Sequence, residues 1–142
     1  MSFEPVKVGS IKTGHYIIDP NSEEVCLVLT IDHSKPGKHG AAKARMVLTG
    51  LFDGKKREFV SSVDKRVNRP VIDKKFASVT NVLDSSIQLM DSETFDYFEA
   101  LYPDDEELTN KIKNNFEEGK TFEVEYWKVM DKIKIHAVRI TE

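Results

Sequence analysis

The sequence predicts a mostly β protein built as two small barrels, and three observations predict it. Short apolar runs rich in strand formers recur through the first 65 or so residues, with no long helical period before residue 90. The remainder reads as three strands, one helix and two strands. The charge also changes sign between the two stretches. Residues 1–72 carry 12 Lys and Arg against 8 Asp and Glu, a balance of +4, and residues 73–142 carry 9 against 16, a balance of −7.

In the first stretch, residues 15–18, 25–31, 43–49 and 58–61 read as strands. Gly14, the run Asp19-Pro20-Asn21-Ser22 and the run Asp53-Gly54-Lys55-Lys56 supply turns between them. Residues 68–73 read as a connector, because Pro70 cannot donate to a ladder and holds Arg69 extended. The expected boundary falls there, with one domain over 1–72 and a second over 73–142.

In the second stretch, residues 77–83, 86–90 and 94–100 are strand candidates, the third rich in Phe and Tyr. A helix follows. Asp104 can serve as its N-cap with Glu107 completing a capping box, and Asp105 and Glu106 favour the positive end of the dipole. Leu108, Ile112 and Phe116 form one apolar stripe, and Gly119 stands where a left-handed C-terminal cap belongs. Residues 122–126 alternate apolar with acidic side chains, and 133–137 alternate again, giving two more strands. Three strands, a helix and two strands is the element order of an OB fold, the helix lying between strands 3 and 4.

Composition excludes several classes. With 142 residues, 39% hydrophobic and 32% charged, the chain is neither disordered nor fibrous. No apolar run approaches the roughly 18 residues of a membrane helix, and the start lacks the basic and apolar regions of a signal peptide. One cysteine, Cys26, cannot form an internal disulfide, so a cytoplasmic setting without membrane contact is expected. The net charge of −3 by itself gives no reason to expect nucleic acid.

One segment departs from that average. Residues 33–42 form a loop between two strong strands, longer than a tight hairpin needs. From His33 to Arg45 there is no acid, but Lys35, Lys38, Lys43 and Arg45 are all present. Gly37 and Gly40 bracket Lys38 and His39 with little bulk, and Pro36 stiffens one side. By pattern alone this is either a solvated basic hairpin loop or a cationic fingertip able to enter a narrow, phosphate-lined space. A Walker phosphate loop is a poor match, because Asp32 and His39 occupy the positions where its glycine and its Ser or Thr belong.

The literal sequence is more specific. Ser34-Lys35-Pro36-Gly37-Lys38-His39-Gly40-Ala41-Ala42-Lys43-Ala44-Arg45 closely resembles the modification loop of the translation initiation/elongation factor 5A family, with Pro36 and Ala41-Ala42 closest to archaeal members. Phe59-Val60-Ser61-Ser62 and Ser86-Ile87-Gln88-Leu89-Met90-Asp91 also look like family segments, so the resemblance spans nearly the whole chain. It implies an SH3-like barrel ahead of the OB fold. It implies that Lys38 is the lysine converted to hypusine, or left as deoxyhypusine. Deoxyhypusine synthase would transfer an aminobutyl group from spermidine to it, using NAD, so this chain would be a substrate with no cofactor of its own. Family members bind the ribosome and reach toward the acceptor end of peptidyl-tRNA, relieving stalls at consecutive prolines and assisting termination. Lys35, Lys43 and Arg45 would then orient the tip on tRNA or rRNA phosphates. The alternative is an RNA- or ribosome-binding module that uses the basic loop unmodified.

Other chemistry is weakly represented. His15, His33, His39 and His136 lack metal-ligand spacing, and no catalytic nucleophile–base pair stands out. Cys26 reads as a small buried hydrophobe. Phe95, Tyr97 and Phe98 are candidates for base stacking, with core packing expected for at least two of them. Lys55-Lys56-Arg57 and Lys65-Arg66 are further cationic candidates that read at least as well as solvated turns, and Lys132, Lys134 and Arg139 are a third group that reads better as a solvated strand edge or face.

Overall fold

In the computed structural model of the chain, residues 3–34 and 42–141 are described, and they divide into one compact unit ending at Val71 and a second beginning at Ile72. The fold is mostly β, with a single α-helix among the described residues.

In the first unit, β1 (Phe3–Lys7) leads through a 3-10 turn at Val8–Ser10 to β2 (Tyr16–Ile18), β3 (Val25–Ser34), β4 (Lys43–Gly50), β5 (Lys56–Ser62) and β6 (Arg66–Pro70). β2, β3, β4 and β5 form one antiparallel sheet in that order, while β1 and β6 pair with each other. Alternation sorts β4 cleanly. Ala44, Met46 and Leu48 are fully buried, and they meet Val8, Ile17, Cys26 and Val28 in the core. This is the expected SH3-like barrel. The expected connector over 68–73 is instead nearly all strand. Asn68, Arg69 and Pro70 complete β6, and Ile72 already opens the next strand, leaving only Val71 between them. Pro5 and Pro70 suit the two-stranded ribbon, where a missing N–H can face away from the ladder.

The second unit contains β7 (Ile72–Val82), β8 (Ser86–Asp91), β9 (Tyr97–Leu101), α1 (Glu106–Glu117), β10 (Phe122–Val129) and β11 (Lys132–Ile140). Its sheet order is β11-β10-β7-β8-β9, all antiparallel, and β11 also approaches β9. Helix α1 packs on β7 and β11. Five strands in this order, with the helix between the third and fourth, make the OB fold. β7 pairs with β10 through its first half and with β8 through its second, bending at a bulge between Val79 and Asn81.

Ile112 is fully buried, with Leu108 and Phe116 packed at the edge of the same core, as the apolar stripe requires. The helix begins one residue later than expected. Asp105, not Asp104, is the N-cap, and its carboxylate accepts from the backbone N–H groups of Glu107 and Leu108. At the other end Gly119 has φ +70, and the N–H groups of Gly119 and Lys120 close on the carbonyls of Phe116 and Asn115, a Schellman cap.

The third strand also starts later than expected. Thr94, Phe95 and Asp96 belong to a turn organised by Asp91, which is only 3% exposed. Its carboxylate accepts from the N–H groups of Glu93 and Thr94, both at 2.8 Å, and from the Tyr126 hydroxyl. Phe95 takes φ 63 in this turn and points into solvent.

Candidate functional site

The acid-free segment found in the sequence sits at the far end of the β3–β4 ladder. The register runs Asp32↔Arg45, His33↔Ala44 and Ser34↔Lys43, so both strands persist to the edges of the loop. Lys35, Pro36, Gly37, Lys38, His39, Gly40 and Ala41 lie outside the described residues. On the return side the Ala42 carbonyl accepts from Val63 N–H at 3.0 Å, which ties the start of β4 to the turn after β5.

β4 exposes Lys43 and Arg45 on the face opposite the buried Ala44 and Met46. The two cations are in different surroundings. Lys43 stands between Ser34 on β3 and Ser62 on β5, with no carboxylate in that row and no ion pair among the described residues. Arg45 stands opposite Asp32 and is gripped by Glu58 through both carboxylate oxygens, at 3.0 and 3.2 Å. Both partners are more than half exposed, so the pair contributes at most about 1 kcal/mol. It nonetheless competes with any phosphate that Arg45 would meet. The row nearest the loop is therefore the uncompensated one.

The other cationic candidates separate in the same way. Arg57 is folded down onto Asp53, with Nη2 2.6 Å from Oδ2 and Nη1 3.1 Å from Oδ1. The guanidinium hydrogen bonds and the Lys55 N–H hold the Asp53 carboxyl well below the usual carboxylate range. Arg57 thus closes the Asp53 turn, whereas Lys55, Lys56, Lys65 and Arg66 remain exposed. In the second unit Arg139 pairs with Glu123 and lies 3.6 Å from the Phe76 ring centre. Five strand steps, roughly 17 Å, separate it from Lys134, so Lys132, Lys134 and Arg139 do not form one patch.

Cys26 is fully buried, and burial pushes its thiol up, as fits a packed hydrophobe. Among the described residues no group of three or more His, Cys, Asp or Glu side chains is placed to hold a metal ion. No helix of the described chain is long and apolar enough to cross a membrane. The aromatic expectation needs correction. Only Phe98 packs in the core, 4.8 Å from Tyr126, while Phe95 and Tyr97 are exposed. The turn at Asp91 reverses Phe95, and strand alternation then puts Tyr97 outside and Phe98 inside. Trp127 is buried, stacked on His136 with Lys74 over its ring.

Comparison with known proteins agrees with this architecture over both units. Residues 2–65 match the family model "Translation initiation factor 5A-like, N-terminal", and residues 71–139 match "Eukaryotic elongation factor 5A hypusine, DNA-binding OB fold". Translation initiation factor 5A of Korarchaeum cryptofilum is 42% identical over 98% of both chains. That of Methanopyrus kandleri is 41% identical over 100% of this chain and 98% of its own. The chain belongs to the translation initiation factor 5A family. Among solved structures, eukaryotic translation initiation factor 5A from Methanococcus jannaschii superposes with a TM-score of 0.81 at 34% identity, covering 96% of this chain and 95% of its own. The family protein of Naegleria fowleri superposes with a TM-score of 0.85 at 27% identity, covering 99% and 100%. The chain is accordingly a translation factor, and its partners belong to the translation machinery.

Proposed function

We propose that this factor acts on the ribosome in the cytoplasm through Lys38, modified to hypusine or deoxyhypusine, and promotes peptide-bond formation at stalled polyproline sites while assisting termination. The observation that carries the reading is the Gly37-Lys38-His39-Gly40 motif in a chain of this family, joined to a ladder that stays paired out to Ser34↔Lys43. A lysine lengthened by an aminobutyl group stays cationic and gains reach and hydrogen-bond donors. Its contribution would be positional: it restrains the acceptor end of peptidyl-tRNA near an attack-ready geometry while the ribosome supplies the chemistry. Lys35 and Lys43 orient the tip on phosphates without reading sequence, and Arg45 joins them when it leaves Glu58. Deoxyhypusine synthase is the modifying enzyme, with spermidine as the aminobutyl donor.

Intact-mass and tandem mass spectrometry of protein from its native host tests the modification. A mass increment of one aminobutyl group, with or without an added hydroxyl, localised to Lys38 is expected. Unmodified Lys38 in a host with active deoxyhypusine synthase would leave the unmodified binding module as the better reading. Lys38→Arg is expected to fold normally and to lose rescue in a polyproline translation assay; normal rescue would overturn the proposed role.

A further inference from the structure

The turn between β8 and β9 displays an aromatic side chain in a conformation that its residue type disfavours. Phe95 has φ 63, in the left-handed region that glycine and asparagine favour, and among the described residues no other aromatic takes a positive φ. Its ring is 65% exposed, so burial does not offset the strain. The surrounding structure imposes the angle. The Asp91 carboxylate accepts from the N–H groups of Glu93 and Thr94, the Phe95 N–H donates to the Asp91 carbonyl at 2.9 Å, and the Asp91 N–H donates to the Asp96 carbonyl at 2.9 Å. Ser92 fastens the turn to two further strands, through its N–H to the Phe76 carbonyl of β7 and its hydroxyl to Glu123 of β10. The Tyr126 hydroxyl of β10 adds to the hold on Asp91. Bulky residues held at such angles by their surroundings concentrate at sites of contact and chemistry. The ring stands on a fixed mount, so ordering it on contact costs little conformational entropy. Tyr97, two residues on, is 74% exposed.

Charge selects the partner. Residues 76–110 contain no Lys, Arg or His and nine Asp and Glu. Glu93 and Asp96 flank the ring within two residues, and no salt bridge among the described residues engages either. Lys75 and Lys128 share a cavity with Asp91, Thr94, Asp96 and Tyr126, but they continue the inward rows of Ala77 and Tyr126 and so turn toward the barrel interior. A nucleobase stacked on Phe95 would bring its phosphates beside Glu93 and Asp96, where attraction needs cations. A second copy of the chain would bring the same carboxylates. We propose that Phe95 is an anchor for a partner protein of the translation machinery, its ring entering an apolar pocket rimmed by Lys or Arg that meet Glu93 and Asp96. The choice of the ribosome as probe rests on the function proposed above; the anchor itself rests on the turn.

The test uses the full-length factor and purified ribosomes from its native host. In one arm the photoreactive analogue p-benzoylphenylalanine replaces Phe95. Irradiation of the complex is expected to give an adduct that survives ribonuclease, and tandem mass spectrometry should place the link in an apolar protein segment bordered by Lys or Arg. In the other arm Phe95→Gly should weaken ribosome binding about tenfold, and Glu93→Lys several-fold, where attraction becomes repulsion. The urea midpoint of Phe95→Gly should stay at or above the wild-type value, because φ 63 suits glycine. The same tenfold loss is expected when Phe95→Gly is made in a Lys38→Arg background, which separates the anchor from the loop. Wild-type affinity in Phe95→Gly, a midpoint that falls along with affinity, a ribonuclease-sensitive adduct or no adduct would each overturn the anchor alone. A wild-type factor that leaves ribosomes unbound would overturn the ribosome reading and the anchor together.

Discussion

Replacing Tyr126 with Phe removes one oxygen from the second unit and tests how the turn beneath Phe95 and Tyr97 is held. The Tyr126 hydroxyl donates to the Asp91 carboxylate inside the barrel, at 5% and 3% exposure respectively. Burial alone would raise the Asp91 pKa, but the Tyr126 hydroxyl and the N–H groups of Thr94 and Glu93 prevail and lower it from 3.8 to about 2. A depressed carboxylate stabilises the fold above its unfolded pKa. That stability is lost as pH falls from about 4 through 2, and its size is about 2 kcal/mol. A hydrogen bond to a charged group contributes about 1.5–3 kcal/mol, so Tyr126→Phe should cost about 2 kcal/mol at pH 7. With a urea slope of about 2 kcal/mol per molar, the unfolding midpoint should drop by about 1 M. Trp127, the single tryptophan, reports the transition by fluorescence from within the same unit. In the variant the Asp91 carboxyl carbon should titrate at least about one unit higher by NMR, because the largest of the hydrogen bonds opposing burial is gone. The stability gap from wild type should consequently narrow as pH falls from 5 toward 2. A gap that is constant across that range, or an Asp91 pKa that stays near 2 in the variant, would refute the reasoning. Asp91→Asn should remove Asp91's own share of the pH dependence.

Further outcomes follow from the same structure. Asp105→Ala should destabilise the second unit by about 1 kcal/mol and Asp104→Ala by less than about half that, by urea unfolding, because only Asp105 caps the helix. In the β10–β11 hairpin, Met130 and Asp131 have φ 49 and 66, angles that suit Asn-Gly. The double change Met130→Asn, Asp131→Gly should therefore raise stability by about 1 kcal/mol in the same assay. In ribosome-binding titrations Lys43→Ala should weaken affinity more than Arg45→Ala, and Glu58→Gln should strengthen it by releasing Arg45. Equal losses for Lys43 and Arg45 would contradict the idea that Glu58 competes with phosphate.

What the sequence revealed follows a physical division. Met46, Leu48, Ile112, Val124 and Ile135 advertise themselves by period, because the side chain that makes the pattern is the one that packs. β1 and β6 were invisible. Phe3-Glu4-Pro5-Val6-Lys7 and Arg66-Val67-Asn68-Arg69-Pro70 are poor strand formers, and they become strands by pairing across some 60 residues. The Asp91 turn was misread for a related reason. Phe95 has a strand former's side chain but a backbone fixed by a buried carboxylate, whose role depends on Tyr126, 35 residues away. At the candidate site the sequence showed four cations between His33 and Arg45. It could not show that Glu58 lies diagonally across from Arg45 while serines flank Lys43.

That distinction changes how net charge bears on function. Formal charge counts Lys43, Arg45 and Arg57 alike, yet Arg57 closes a turn, Arg45 is held by Glu58, and Lys43 stands without a carboxylate in its row. Counterion release on phosphate binding responds to cations that are available, so the effective basic surface of the first unit is narrower than its +4 balance. In the second unit two of the cations on the sheet are similarly occupied: Arg139 by Glu123 and Phe76, and Lys74 over Trp127. Among the described residues no salt bridge engages Glu99 on β9, whereas Asp91 at the end of β8 is held by the Tyr126 hydroxyl and the N–H groups of Glu93 and Thr94. Pairing within each unit therefore decides which charges stay available, and Lys43, in the row nearest the loop, is one that does.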